Sequence, residues 1–190
     1  MSQEIEIEFK NLLEENEYEQ LAQTLPFQKE QRFSQTNYYF ETNSFDLREK
    51  KCALRIRKKN DTWTATLKEP HPKGLLETHD TLTEEEAQGW MNNEPAPAPN
   101  IKDRLANFGI DFSSLQFKGA LTTERMETEY MDTLIVLDRS HYNNVTDYEF
   151  ELEAKEKQHG QTVFKDILHQ FDIPERETPN KIKRFFQSVT

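Results

Sequence analysis

The segment EIEIEFK, residues 4–10, places Glu4, Glu6, Glu8 and Lys10 on alternate positions with Ile5, Ile7 and Phe9 between them. In a strand every second side chain shares a face, so the apolar members enter a core while an acidic row points elsewhere. Carboxylates so close repel one another. Either water screens them on an exposed face, or a cation holds them together. DYEFELEAKE repeats the device near the other end of the chain, with Glu149, Glu151, Glu153 and Lys155 opposing Tyr148, Phe150, Leu152 and Ala154. Basic residues are grouped in the same way. KCALRIRKK sets Arg55, Arg57 and Lys59 on the face away from Leu54 and Ile56, and TWTATLKE sets Lys68 beside Thr62, Thr64 and Thr66. TTERMETEY carries both signs on one face, as Arg125, Glu127 and Glu129.

An antiparallel sheet with one wet face always alternates, and its charges can serve solubility alone. Sorting like charges onto separate strands, however, costs repulsion unless something bound compensates, which points to a site for a polyanion and a cation together. Phosphate handling fits. Carboxylates offer oxygen donors to Mg2+ or Mn2+, arginine offers paired donors to non-bridging oxygens, and lysine supplies a mobile point charge. A divalent ion would polarise phosphorus–oxygen bonds and orient water while basic side chains stabilise developing charge, with no phosphoenzyme required. Competing chemistries are poorly supplied. Five glycines leave little material for a glycine-rich phosphate loop, and His71, His79, His141, His159 and His169 lack a close metal-ligand spacing. Cys52 has no nucleophile apparatus beside it, and Ser140 next to His141 is adjacency rather than a triad.

These rows need a sheet to hold them. After the opening strand, Leu12, Leu13, Tyr18, Leu21 and Leu25 are spaced as one face of a helix or broken helical pair ending near Pro26. Strands are expected at 35–42, 51–59, 62–69 and 74–82, the middle two joined by a KND turn into a hairpin. TEEEAQGWM reads as a short helix capped by Thr83, and NNEPAPAPN as an extended spacer. IKDRLANFG reads as a helix ended by Gly109, followed by strands at 115–129, 131–139 and 146–156. Gly160 begins a helix lined by Val163, Phe164, Ile167, Leu168 and Phe171, and NKIKRFFQSV closes the chain with a short amphipathic one. The expectation is a mainly β, α+β fold: about eight antiparallel strands, closed into a barrel that would remove exposed edges, with peripheral helices.

The chain has 190 residues, enough for one domain or a small compact pair with a substantial core, and its 13 Phe, 6 Tyr and 2 Trp mark it as folded despite an apolar fraction of 34%. A net charge of −11 argues against a general nucleic-acid binder. The single cysteine points to a reducing compartment, and no run approaches the roughly 20 apolar residues of a membrane span. With a charged strand starting within three residues of the N-terminus, a cytoplasmic protein is expected. Protein partners are not indicated.

The ordered set of EIEFK, YYFET at 38–42, LRIRKK at 54–59, TLKEP at 66–70, Glu77, Arg125, VLD at 136–138, YEFELE at 148–153 and NKIKRFF at 180–186 resembles the CYTH superfamily of triphosphate tunnel metalloenzymes, especially its small Firmicute-type members. The resemblance spans nearly the whole chain. It implies a single CYTH-like domain over residues 1–190, with an eight-stranded tunnel holding a linear triphosphate. It also implies that Glu6 and Glu8 ligate Mg2+ or Mn2+ opposite Glu151 and Glu153, with Glu149 a further ligand or water positioner. Lys10, Arg55, Arg57, Lys68 and Arg125 are implied phosphate contacts, with Lys59, Lys181 and Lys183 or Arg184 as further candidates. Asp138 matches a family aspartate near the tunnel, with turn capping as the alternative; Glu4, Glu77 and Glu127 complete the candidate set. The implied reaction is metal-dependent hydrolysis of tripolyphosphate or an organic triphosphate such as thiamine triphosphate. Adenylate cyclisation and binding without turnover are the alternatives.

Overall fold

The computed structural model describes residues 2–59 and 61–188. Among them are nine strands: β1 (Ser2–Glu6), β2 (Glu8–Leu13), β3 (Phe33–Glu41), β4 (Ala53–Lys59), β5 (Thr62–His71), β6 (Gly74–Leu82), β7 (Gln116–Tyr130), β8 (Thr133–Tyr142) and β9 (Val145–Ala154). Six helices accompany them: α1 (Glu15–Thr24), α2 (Asp46–Glu49), α3 (Glu84–Met91), α4 (Pro99–Asn107), α5 (Lys157–Gln170) and α6 (Lys181–Gln187). The fold is mainly β, as expected, with nine strands in place of eight. The extra strand arises because the opening run breaks at Ile7: β1 neighbours β6, whereas β2 neighbours β9. The sheet order is β1-β6-β5-β4-β3-β7-β8-β9-β2, and its two end strands are consecutive in the chain, separated by Ile7 alone. No described helix is long and apolar enough to cross a membrane.

The chain groups into two compact units. The first comprises the described residues of Met1–Ile5 and Thr36–Leu121. Its strands β4, β5 and β6 pair antiparallel, setting Leu54 beside Leu67 and Ile56 beside Ala65. These four side chains are fully buried, Leu54, Leu67 and Ile56 each contributing about 1.5–3 kcal/mol by leaving water, in a core completed by Phe40, Trp90, Ile101 and Leu105. Thr83 caps α3 as its sequence predicts: its hydroxyl accepts from Glu86 N at 3.2 Å, and the Glu86 carboxylate accepts from Thr83 N at 2.7 Å. Asp80, buried, accepts from Ile101 N at 2.8 Å and so fixes the start of α4. Gly109, at φ +70°, follows that helix in the left-handed conformation glycine favours. The KND turn includes Asn60, which lies outside the described residues.

The second unit comprises the described residues of Glu6–Gln35 and Thr122–Thr190. Here β2, β9, β8 and the C-terminal part of β7 pair in register. Leu12 and Leu13 belong to β2 rather than to a helix, because the Glu17 carboxylate accepts from Glu14 N at 2.8 Å and α1 begins only after Glu14. Phe150 and Leu152 of β9 pack with Leu21 of α1 and with Val163, Phe164 and Ile167 of α5. Gly160 lies inside α5 rather than at its start, where a Cβ would come 2.5 Å from Ala154 Cβ and 2.8 Å from Phe9 Cε2. With helices covering the apolar face of β9, Glu149 and Glu151 occupy its other face, and they too are buried.

Candidate active site

The pairing of the second unit turns the sequence ladders into a lattice. One row runs Arg125 on β7, Asp138 on β8, Glu149 on β9 and Leu12 on β2; the next runs Glu127, Val136, Glu151 and Lys10; the third runs Glu129, Leu134, Glu153 and Glu8. Arg125 grips Asp138 with two hydrogen bonds, Nε to Oδ1 at 2.8 Å and Nη2 to Oδ2 at 2.7 Å, and reaches diagonally to Glu151 Oε2 at 2.7 Å. Lys181, the first residue of α6, enters the same group. Its ammonium lies 2.9 Å from Asp138 Oδ2 and donates to the carboxylates of both Glu149 and Glu151. Asn180 orients that helix by accepting from Lys183 N at 2.9 Å. One turn on, Arg184 donates from Nε to Asp147 at 2.9 Å and pairs through Nη1 with Glu149 at 2.5 Å. Lys183 is exposed, so of the two alternatives Arg184 is the one that faces the acidic residues.

A wet solubility face does not look like this. Glu149 is 0% exposed and Glu151 7%, and carboxylates this buried persist only when paired. Burial opposes the charge on Lys181, but Asp138, Glu149 and Glu151 outweigh it and hold the ammonium well above the usual lysine range. For Arg125 burial is likewise outweighed, chiefly by Asp138 and Glu151. The two glutamates part company: burial raises Glu149, whereas Lys181 and Arg125 overcome burial and hold Glu151 well below the usual carboxylate range. Burial and the paired cations therefore push these two carboxyls, two residues apart on one strand, in opposite directions.

Lys10 lies opposite Glu151 and pairs with Glu8 at 2.6 Å, and Glu8 lies opposite Glu153. Glu6 is half-buried at the end of β1. The sequence row does not stay whole: Glu4 is exposed on β1 and approaches His79 Nε2 at 3.2 Å in the first unit. Asp138, Glu149 and Glu151 offer oxygens that all lie within 4.8 Å of one another. Lys181 already sits against all three; the carboxylates of Glu6, Glu8, Glu151 and Glu153 are oxygen donors of the hard kind that Mg2+ or Mn2+ takes.

In the first unit, Arg55 lies opposite Tyr39 and Thr66, Arg57 opposite Asn37 and Thr64, and Lys59 opposite Thr62. The basic ladder thus shares its face with a row of hydroxyls. Arg57 Nε donates to Asn37 Oδ1 at 2.8 Å. Lys68 lies opposite Glu77 and meets its carboxylate at 2.5 Å. His79, which has no close metal-ligand spacing in the sequence, lies 3.0 Å from the Thr66 hydroxyl and forms a group with Glu4 and Glu77 whose ligand atoms fall within 4.8 Å. Asn37 and His79 were accessible to sequence reasoning only as polar positions in strand register with the ladder; neither spacing carries a motif.

The CYTH domain family matches residues 4–186. The Bacillus subtilis (strain 168) protein named "Putative triphosphatase YjbK" is 46% identical over 187 residues, covering 98% of this chain and 97% of the relative. A crystal structure from Bacillus halodurans, of a protein named "putative adenylate cyclase", superposes with a TM-score of 0.93 at 40% identity, over 98% of this chain and all of the other. A Hippeastrum protein, described as a "putative adenylyl cyclase" with a dominant triphosphatase activity, shares the fold with a TM-score of 0.79 at 23% identity, over 96% of each chain.

Proposed function

The chain belongs to the CYTH domain family, and from that membership we propose that it is a metal-dependent triphosphatase, hydrolysing a linear triphosphate at its terminal phosphorus. It is an enzyme of the triphosphatase kind, the activity named for its 46% identical relative. The observation that carries the reading is the buried group of Arg125, Asp138, Glu149, Glu151 and Lys181, in which charged residues meet on a face removed from water. Such a group stores charge where phosphate chemistry needs it.

We assign Glu6, Glu8, Glu151 and Glu153 to the divalent ion, Mg2+ or Mn2+. Glu149 is held from two sides by Lys181 and Arg184 and serves to keep Lys181 in place. When bound, the ion supplies Lewis acidity toward phosphate oxygens and lowers the cost of deprotonating water. Lys10, Arg125, Lys181 and Arg184 in the second unit, and Arg55, Arg57, Lys59 and Lys68 in the first, are assigned to phosphate oxygens by their match to the family's basic motifs. Asp138 orients Arg125 through two hydrogen bonds, so that the guanidinium presents a fixed edge. Water attacks the terminal phosphorus, the bond to the bridging oxygen breaks, and orthophosphate leaves with the shortened phosphate chain as second product. The substrate class is a small-molecule triphosphate, inorganic or organic, rather than a nucleic-acid polymer, consistent with the chain's net charge of −11.

Phosphate release from tripolyphosphate, thiamine triphosphate and ATP, each with Mg2+, Mn2+ or EDTA, tests this reading. Metal-dependent release from at least one substrate is expected. Formation of cyclic AMP from ATP without orthophosphate would replace it with a cyclase.

A further inference from the structure

We propose that Asn37 is a specificity-determining residue of the phosphate site: its side-chain oxygen orients Arg57, and its side-chain nitrogen donates to a phosphate oxygen of the substrate. The inference rests on the triphosphatase reading and adds a residue outside the acidic and basic motifs. Asn37 is 1% exposed, on the strand face it shares with Tyr39 and directly opposite Arg57 in the β3–β4 register. Arginine Nε can only donate, so its 2.8 Å bond identifies the amide atom it meets as Oδ1 and turns Nδ2 away from Arg57. That nitrogen finds no acceptor among the described residues. An unmatched buried N–H donor is costly, a cost a protein sustains where a ligand supplies the acceptor.

The surroundings state which ligand. One position along the ladder, Arg55 Nε is likewise buried without an acceptor, and the facing positions on β5 are Thr64 and Thr66. Two unmatched donors, one on Asn37 and one on Arg55, with Arg57 and a row of hydroxyls beside them, call for a ligand rich in acceptors and negative charge. Non-bridging phosphate oxygens have that character, whereas a neutral sugar or a base edge would bring donors of its own. A carboxamide also has a use that a third arginine would not serve. It grips an oxygen without adding charge, and so favours the geometry of the anion over mere electrostatic attraction.

The test is calorimetric binding of an imido-bridged, non-hydrolysable tripolyphosphate, with Mg2+, to the wild type, Asn37→Asp and Asn37→Ser. Aspartate keeps the acceptor for Arg57 and replaces the donor with a second acceptor. We expect its melting temperature to stay within a few degrees of wild type while affinity falls at least tenfold. Serine, too short to span both partners, is expected to lose several-fold. Either variant, folded and binding within twofold of wild type, overturns the inference. Wild-type protein that binds the probe but releases no phosphate from tripolyphosphate would sink the hydrolysis reading and leave the role of Asn37 standing; wild-type protein that fails to bind overturns both.

Discussion

Arg57 and Cys52 show how position decides what a reactive side chain does. Arg57 is half-buried, its Nε committed to Asn37, which presents the rest of its guanidinium in a fixed plane. A charge-assisted contact of this kind is worth about 1.5–3 kcal/mol, so Arg57→Ala should weaken tripolyphosphate binding by roughly ten- to a hundredfold. The loss for orthophosphate should be much smaller, and equal small losses for both in a titration would place Arg57 outside the phosphate path. Cys52 is the opposite case. Burial pushes its thiol up to about 12, with Glu69 and Glu41 adding to the effect. Thiolate chemistry is therefore suppressed, and alkylation of the native protein at pH 8 should run about a hundredfold or more slower than that of the denatured chain. Rapid native labelling would contradict the buried placement. The alternation that marked Arg55, Arg57, Glu149 and Glu151 was legible because strand period is a local property. The partner of each was not, since Arg125 and Lys181 reach Glu151 only through strand pairing and helix placement.

At the scale of elements, the helices behind the sheet do the positioning. Arg176 donates to both carboxylate oxygens of Glu17, at 2.7 and 2.9 Å, and to the carbonyl of Leu12, so the segment before α6 is tied to the start of α1. The hydrogen bond from Arg176 is the largest influence on Glu17 and lowers its pKa below the ordinary 4.5. A depressed carboxylate stabilises the fold above its unfolded pKa, and that contribution is lost as pH falls through the folded value. Glu17→Gln should thus cost about 1 kcal/mol at neutral pH, allowing for partial solvent screening, and the gap from wild type should close below about pH 4.5 in denaturant titrations. A gap independent of pH would mean that the carboxylate charge plays no part. Glycine-to-alanine changes within helices usually stabilise, by about 1 kcal/mol. Gly160→Ala should do the reverse, by about 1–3 kcal/mol in thermal melts, because its Cβ would meet Ala154 and Phe9. Unchanged stability would show that α5 can lift from β2 and β9 at little cost. Gly160 was misread as a helix start since sequence shows that a residue is small, not what stands against it.

Across the whole molecule, the sequence predicted a mainly β fold, most strand positions and the family, because most strands announce themselves over seven to ten residues. It placed Leu12 and Leu13 on a helix, where apolar pairs suit either structure, and it missed the break at Ile7 because both flanking segments keep the same alternation. That break hands the chain from β6 to β9 between Glu6 and Glu8, the two residues on which the proposed chemistry most depends. The most direct measurement is orthophosphate release from tripolyphosphate, with Mg2+ and with EDTA, by the wild type and by the double variant Glu6→Gln, Glu8→Gln. The account predicts release by the wild type with Mg2+ that EDTA abolishes, and at least a hundredfold loss in a double variant that still melts within a few degrees of wild type. Release that survives EDTA, or full turnover by the double variant, would contradict it.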